Sequence, residues 1–274
     1  LTFGNPTSGG VPKSFAGETI VLPYNDPQAL VECFKSFPNE IAAVIIEPIA
    51  GNMNLVKPHK EFVKLLRDTC NKFGSLLIFD EVMTGFRVSL GGAQQLLGIS
   101  PDLSTFGKVI GGGMPMGAFA GKKEIMKHLA PLGSVYQAGT LSGNPIAVTA
   151  GIATLRIVSQ PNFFRSLEFL TKELIVGLRD IAKDCKVEEF SSDYVGGMFG
   201  IYFRPDIPKT FNDVLDSNID LFKRFFHEML TRGVYLAPSP YEAGFLSIKH
   251  EGKPVQQILE AAKESFDVIN GKNA

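Results

Sequence analysis

Apolar and polar residues fall along this chain in blocks whose lengths and periods separate strands from helices. Residues 41–47 form an apolar run closed by Glu47, the pattern of a strand buried on both faces. After Pro58, the residues Phe62, Leu65, Leu66, Thr69, Cys70 and Phe73 recur at helical spacing, and Gly74 supplies the stop. Residues 75–80 predict a second buried strand, again ending in a carboxylate, Asp80. Residues 103–106 and 116–120 predict two further short strands. Strands alternating with helices imply right-handed crossovers and a mostly parallel sheet, hence an α/β fold.

The pattern changes after Gly143. Residues 146–158 predict a helix, and residues 164–181 carry one apolar stripe of a long amphipathic helix. Residues 198–203 predict a strand. Ser217 with Asp220 predicts a capping box that opens a helix through Leu230, with Gly233 past its end. A short strand at 245–248 and a final amphipathic helix at 255–269 complete a smaller C-terminal α+β domain. The expected division is 1–159 and 160–274. The stretch through residue 23, rich in Gly, Pro, Thr and Ser, predicts loop with a short strand. A domain seldom opens this way, so the expectation is a chain entered partway through a larger unit.

Composition narrows the classes. The 274 residues are 45% hydrophobic and 20% charged, with a formal net charge of -1. That suits a globular protein with a full core and leaves no basic surplus for nucleic acid. No apolar run approaches the roughly 20 residues needed to span a bilayer. Cys33, Cys70 and Cys185 form no CxxC pair, and the four histidines show no paired spacing, so no metal site is expected. The cysteines read as reduced thiols, mostly buried.

Ligands of an open parallel sheet bind outside the carboxyl ends of its strands. Three predicted strand ends carry polar groups: Glu47, Asp80 with Glu81, and Lys108. Lys108 stands between an apolar strand and the triplet Gly111–Gly113, where backbone must approach something closely. A lysine buried there would have a lowered pKa and could form a Schiff base with an aldehyde cofactor. A surface lysine beside a flexible loop remains open. A phosphate-binding P-loop fits poorly, because the glycines follow the lysine and Val109 replaces the metal-ligating hydroxyl. Asp80 could keep a pyridine nitrogen protonated, or cap a turn. Thr140, in a Gly/Thr/Ser/Asn cluster before a helix, could hold phosphate oxygens or serve as that helix's N-cap.

Residues 78–87, which contain Asp80, and 104–118, which contain Lys108, resemble the aspartate and cofactor-lysine segments of the class III aminotransferases. These are fold-type I pyridoxal-phosphate-dependent transferases. Residues 47–54, 136–145 and 241–245, with 1–8 and 195–200, are similar to one branch of that family, the glutamate-1-semialdehyde aminomutases. The resemblance covers essentially the whole chain. It implies a mostly parallel central sheet with helices on both faces, and an N-terminal portion preceding Leu1. It implies that Lys108 bears pyridoxal 5'-phosphate, that Asp80 pairs with the ring nitrogen, and that Val82 packs on the ring face. It further implies that Thr140 contacts the cofactor phosphate of a neighbouring subunit in a homodimer, that Asn52, Tyr136 and Glu242 line the substrate pocket, and that Met83 lies beside it. The implied reaction converts glutamate-1-semialdehyde to 5-aminolevulinate through a diamino intermediate, with the cofactor also passing through its pyridoxamine form. An ordinary ω-aminotransferase acting on two substrates, or a silent binding protein on the same fold, are the rival readings. A bacterial cytoplasm, or a plastid stroma, is the expected location.

Overall fold

The structure is a computed structural model and describes residues 9–271. The segment 1–8 that contributes to the resemblance lies outside the described residues.

The chain opens with α1 (Lys13–Gly17), where loop and a short strand were expected, and α2 (Pro27–Ser36). Asp26 caps α2 by accepting from Ala29 N at 2.9 Å, and Pro27 occupies the first turn, where its missing N–H costs nothing. There follow β1 (Ala43–Ile46), α3 (Lys60–Phe73), β2 (Leu76–Asp80), α4 (Gly92–Leu97), β3 (Leu103–Phe106), β4 (Ala118–Gly121) and α5 (Lys123–Met126). Gly74 ends α3 in the left-handed conformation, φ 71°, as its position predicts. The sheet order is β1-β2-β3-β4. The first three strands run parallel, and β4 returns antiparallel to β3.

Leu77 and Phe79 of β2 pack against Leu30 and Phe34 of α2 and Phe62, Val63, Leu66 and Cys70 of α3, with Val44 and Ile46 of β1 beside them. The strand expected at 41–47 is not buried on both faces, however. β1 is the edge of this sheet, and Ile45 on its other face is 63% exposed. Just before β3, Asp102 accepts from Leu77 N at 2.7 Å and pairs with Arg67 at 2.8 Å and Lys122 at 2.5 Å. Burial alone would raise its pKa. The backbone bond and the two cations outweigh that and hold the carboxyl below the usual carboxylate range.

The rest of the chain comprises α6 (Pro145–Val158), α7 (Phe163–Asp184), β5 (Ser191–Val195), β6 (Met198–Tyr202), α8 (Phe211–Leu215), α9 (Ile219–Thr231), β7 (Gly244–Phe245) and α10 (Lys253–Ile269). β5, β6 and β7 make a second, antiparallel sheet. Its core is aromatic: Phe225 and Phe266 stack at 4.6 Å between centroids, and Phe190 meets Phe266 edge-on at 5.0 Å. Each such ring, fully buried, contributes roughly 1.5–3 kcal/mol. The cap of α9 is Asn218, whose Oδ1 accepts from Leu221 N at 3.0 Å, one residue beyond the Ser217 that the pattern predicts. Asn218 is fixed there because its own N–H donates to Phe203 O at 2.8 Å. The strand expected at 245–248 is shifted and shortened, with Ile248–His250 forming a 3-10 turn. Among the described residues no helix is long and apolar enough to cross a membrane.

Candidate active site

Strands β2 and β3 run parallel with Asp80 opposite Thr105, so their carboxyl ends lie side by side. Asp80 Oδ1 accepts from Val82 N at 3.0 Å and from Thr105 Oγ1 at 3.3 Å. Its Oδ2 has no hydrogen-bond partner among the described residues. The adjacent carboxylate has a different task. Glu81 is fully buried and accepts from Thr84 Oγ1 at 2.5 Å and from Ala93 N and Gln94 N at 2.9 Å, satisfying the first amides of α4. Of two neighbouring acids at one strand end, one is consumed by the fold and the other keeps an open oxygen.

Val82 reaches the next strand end. A methyl group placed on Gly107 would lie 3.2 Å from Val82 Cγ1, so the two residues are in contact. Lys108 follows immediately, with φ 49°, and opens the 3-10 turn Lys108–Gly111. Helix α6 presses on this turn from behind, close enough that a methyl on Gly151 would collide with Ile110 O. The structure departs from the expectation of a buried lysine, because Lys108 is exposed. The turn is backed on the α6 side, whereas residues 112–115 and 134–143 are themselves exposed.

Asn52, Met83 and Glu242 stand on segments linked by another route, through Gly51 and Asn54. Glu47, at the end of β1, accepts from Gly51 N at 2.8 Å and Asn52 Nδ2 at 2.6 Å. Reciprocal backbone bonds between Ala50 and Val56, both 3.0 Å, close the loop that displays Asn52. Tyr24 donates to Glu47 O at 3.0 Å. Its burial, and then the Glu47 charge, push its hydroxyl well above the ordinary tyrosine pKa, so it remains a donor. Met83 is buried against this loop, where a methyl on Gly51 would collide with its Sδ. Glu242 is exposed on the turn that follows Tyr241, and Tyr241 O accepts from Asn54 N at 2.6 Å. Both carboxylate-bearing loops therefore meet at Asn54.

Tyr136 (82% exposed) and Thr140 lie on the exposed 134–143 segment, and no hydrogen bond among the described residues ties either to the rest of the site. The alternative of Thr140 as an N-cap is answered: Asn144 caps α6, accepting from Ala147 N at 2.9 Å. Thr105, which orients Asp80, and Arg87 were not singled out by the sequence. The Arg87 guanidinium stacks 4.2 Å from the Phe245 ring centroid and donates from Nε to Met83 O at 2.8 Å, and burial lowers its pKa. The only available signal was a single basic residue closing a motif whose other charges, Asp80 and Glu81, are acidic.

A cofactor with a protonated ring nitrogen and an aldehyde fits this donor set: Asp80 has an oxygen left for the ring N–H, and Lys108 offers an amine at the neighbouring strand end. The family profile for "Aminotransferase class-III" matches residues 4–243. The chain is 60% identical over 271 residues to the glutamate-1-semialdehyde 2,1-aminomutase of Polynucleobacter asymbioticus, covering 97% of this chain and 62% of that protein. It is 54% identical to the enzyme of the same name from Bordetella avium, covering 98% of this chain and 63% of that protein. The chain thus spans about three fifths of the length of these relatives. Among solved structures, an omega-transaminase from Sphaerobacter thermophilus superposes with a TM-score of 0.90 at 29% identity, covering 97% of this chain and 61% of that one. A glutamate-1-semialdehyde-aminomutase from Pseudomonas aeruginosa PAO1 shares the fold with a TM-score of 0.82 at 22% identity, covering 95% and 60%. With the lysine and aspartate motifs, the strand-end geometry and these matches in agreement, the chain belongs to the class III aminotransferase family.

Proposed function

We propose that this chain forms the cofactor-lysine part of a pyridoxal-phosphate enzyme that converts glutamate-1-semialdehyde to 5-aminolevulinate, an isomerisation by intramolecular amino transfer. The observation that carries the reading is the pairing of Asp80, with one carboxylate oxygen held and one open, with Lys108 on the adjacent strand end. Identities of 54–60% to relatives named for that reaction support the substrate.

When bound, the cofactor supplies an electron sink next to the substrate carbons. Lys108 anchors it and moves protons between the two carbons that exchange the amine, on one face. Asp80 keeps a proton on the ring nitrogen, and the donors Val82 N and Thr105 Oγ1 hold its carboxylate in place. Val82 packs against the ring, Met83 lies beside it, and Asn52, Tyr136 and Glu242 line the substrate pocket. Thr140 contacts the phosphate held by a second subunit, so the active unit is a homodimer. Residues 1–159 and 160–274 act as the larger and the smaller domain. The named relatives are bacterial, which supports a cytoplasmic location.

The test is protein of native length incubated with glutamate-1-semialdehyde alone, following 5-aminolevulinate. Product without any second amino or keto compound is expected. An absolute need for such a partner would replace this reading with that of a two-substrate ω-aminotransferase.

A further inference from the structure

Asn54 joins the two loops that display Asn52 and Glu242. It is 1% exposed, and its backbone takes φ 62°, a conformation asparagine tolerates better than other side chains. Its N–H donates to Tyr241 O at 2.6 Å. Its amide Nδ2 donates to Pro240 O at 2.9 Å and to Ile201 O at 3.0 Å. One residue thus pins the 50–56 loop to strand β6 and to the turn one residue before Glu242. The site is shaped for this side chain: a methyl group on Gly200 would come within 2.7 Å of Asn54 Oδ1. Next to it Tyr202 donates its hydroxyl to Leu55 O, closing the same seam.

Among the described residues, Asn54 Oδ1 is buried without a hydrogen-bond partner. Asparagine therefore leaves one acceptor unsatisfied while using its amide hydrogens on one carbonyl of β6 and one of the turn before Glu242. The useful product is the fixed separation of two exposed side chains, Asn52 two residues earlier and Glu242 one residue beyond Tyr241. Neither Asn52 nor Glu242 reaches the other through a hydrogen bond of its own among the described residues. Asn52 is fixed instead by Glu47, and Glu242 by its own turn, where its N–H donates to Ser239 O at 3.4 Å.

We propose that Asn54 is a positioning residue for substrate, setting the Asn52 wall of the pocket against the Glu242 wall. The proposal rests on the reading of those two residues as pocket residues. It predicts an effect confined to substrate binding, because Asp80, Val82 and Lys108 are held by separate contacts.

The experiment compares native-length wild type with Asn54→Gly, which keeps the positive φ and removes the amide. Wild-type turnover of glutamate-1-semialdehyde is the control for the functional reading itself, and hydrogen exchange tests the clamp whether or not that control succeeds. Faster exchange at the Tyr241 and Glu242 amides is expected, with KM raised about ten-fold, kcat within about two-fold, and cofactor absorbance retained. Unchanged exchange overturns the proposal. So does a fall in kcat and cofactor occupancy with KM unmoved, which marks a merely structural role. Should Asn54→Gly fail to fold, Asn54→Ser, which retains a hydroxyl donor, carries the same readouts. Failure of both to fold assigns Asn54 to the scaffold and overturns the positioning role.

Discussion

The site has two halves that this chain treats differently. The half made of Asp80, Val82, Met83 and Asn52 is tied down by named contacts: backbone and hydroxyl donors on Asp80, the Glu47 carboxylate on Asn52, and Gly51 under Met83. The half made of Lys108, Tyr136 and Thr140 lies exposed, on a turn and a segment with no hydrogen bond to the first half among the described residues. The difference teaches that the Asp80 carboxylate is held in place by the pairing of β2 with β3, whereas Lys108, Tyr136 and Thr140 take few contacts from this chain, which spans about three fifths of its relatives' length. A fixed carboxylate and an accessible amine are separate products of two adjacent strand ends.

The two halves should therefore respond differently to mutation. The largest effect is expected in the exposed half and in function alone. Lys108→Ala should lower turnover by about 10³-fold or more, abolish the borohydride-fixable adduct, and leave chemical-denaturation stability within about 0.5 kcal/mol. If borohydride still fixes cofactor to the variant, another lysine bears it. The converse holds in the packed half. Met83→Ala empties a buried position and should cost about 2–5 kcal/mol in urea unfolding, whereas Tyr136→Ala, in the exposed half, should cost no more than about 0.5 kcal/mol. Equal losses would show that the two halves are one cooperative unit.

The smallest of these effects is pH-dependent and comes from the amino end of β3. The folded-state pKa of Asp102 is depressed, so its contribution is present above the unfolded value of about 4 and fades as pH falls through the lower folded value. Asp102→Asn should therefore be less stable than wild type at neutral pH, and its stability should fall less steeply between about pH 4 and pH 2. Parallel acid-unfolding curves for the two proteins would assign the slope to other carboxylates.

The sequence was most legible where one local signal sufficed. An apolar run closed by Asp80 became β2, and a helical repeat stopped by Gly74 became α3, each within a residue or two of its expected limits. Features that depend on distant partners were less legible. Ser191–Val195 looks polar, yet Ser191 and Ser192 are buried because β5 pairs with β6. The run at 41–47 looks like a central strand, but nothing in its own residues says that it forms an edge. In the site, residue types and spacing pointed to Lys108 and Asp80. The exposure of Lys108 and the roles of Thr105, Arg87 and Asn54 depend on which chain segments meet, and no local pattern encodes that.

Helix α6 sits so close to the lysine turn that position 151 has no room for a side chain. Any larger residue there would shove the carbonyl of Ile110 forward and carry Lys108 with it, although every polar group of the site would be untouched. Such a variant would look healthy in a charge map and still be slow. Libraries built on this chain should hold residue 151 constant, since it sets where the Lys108 turn stands.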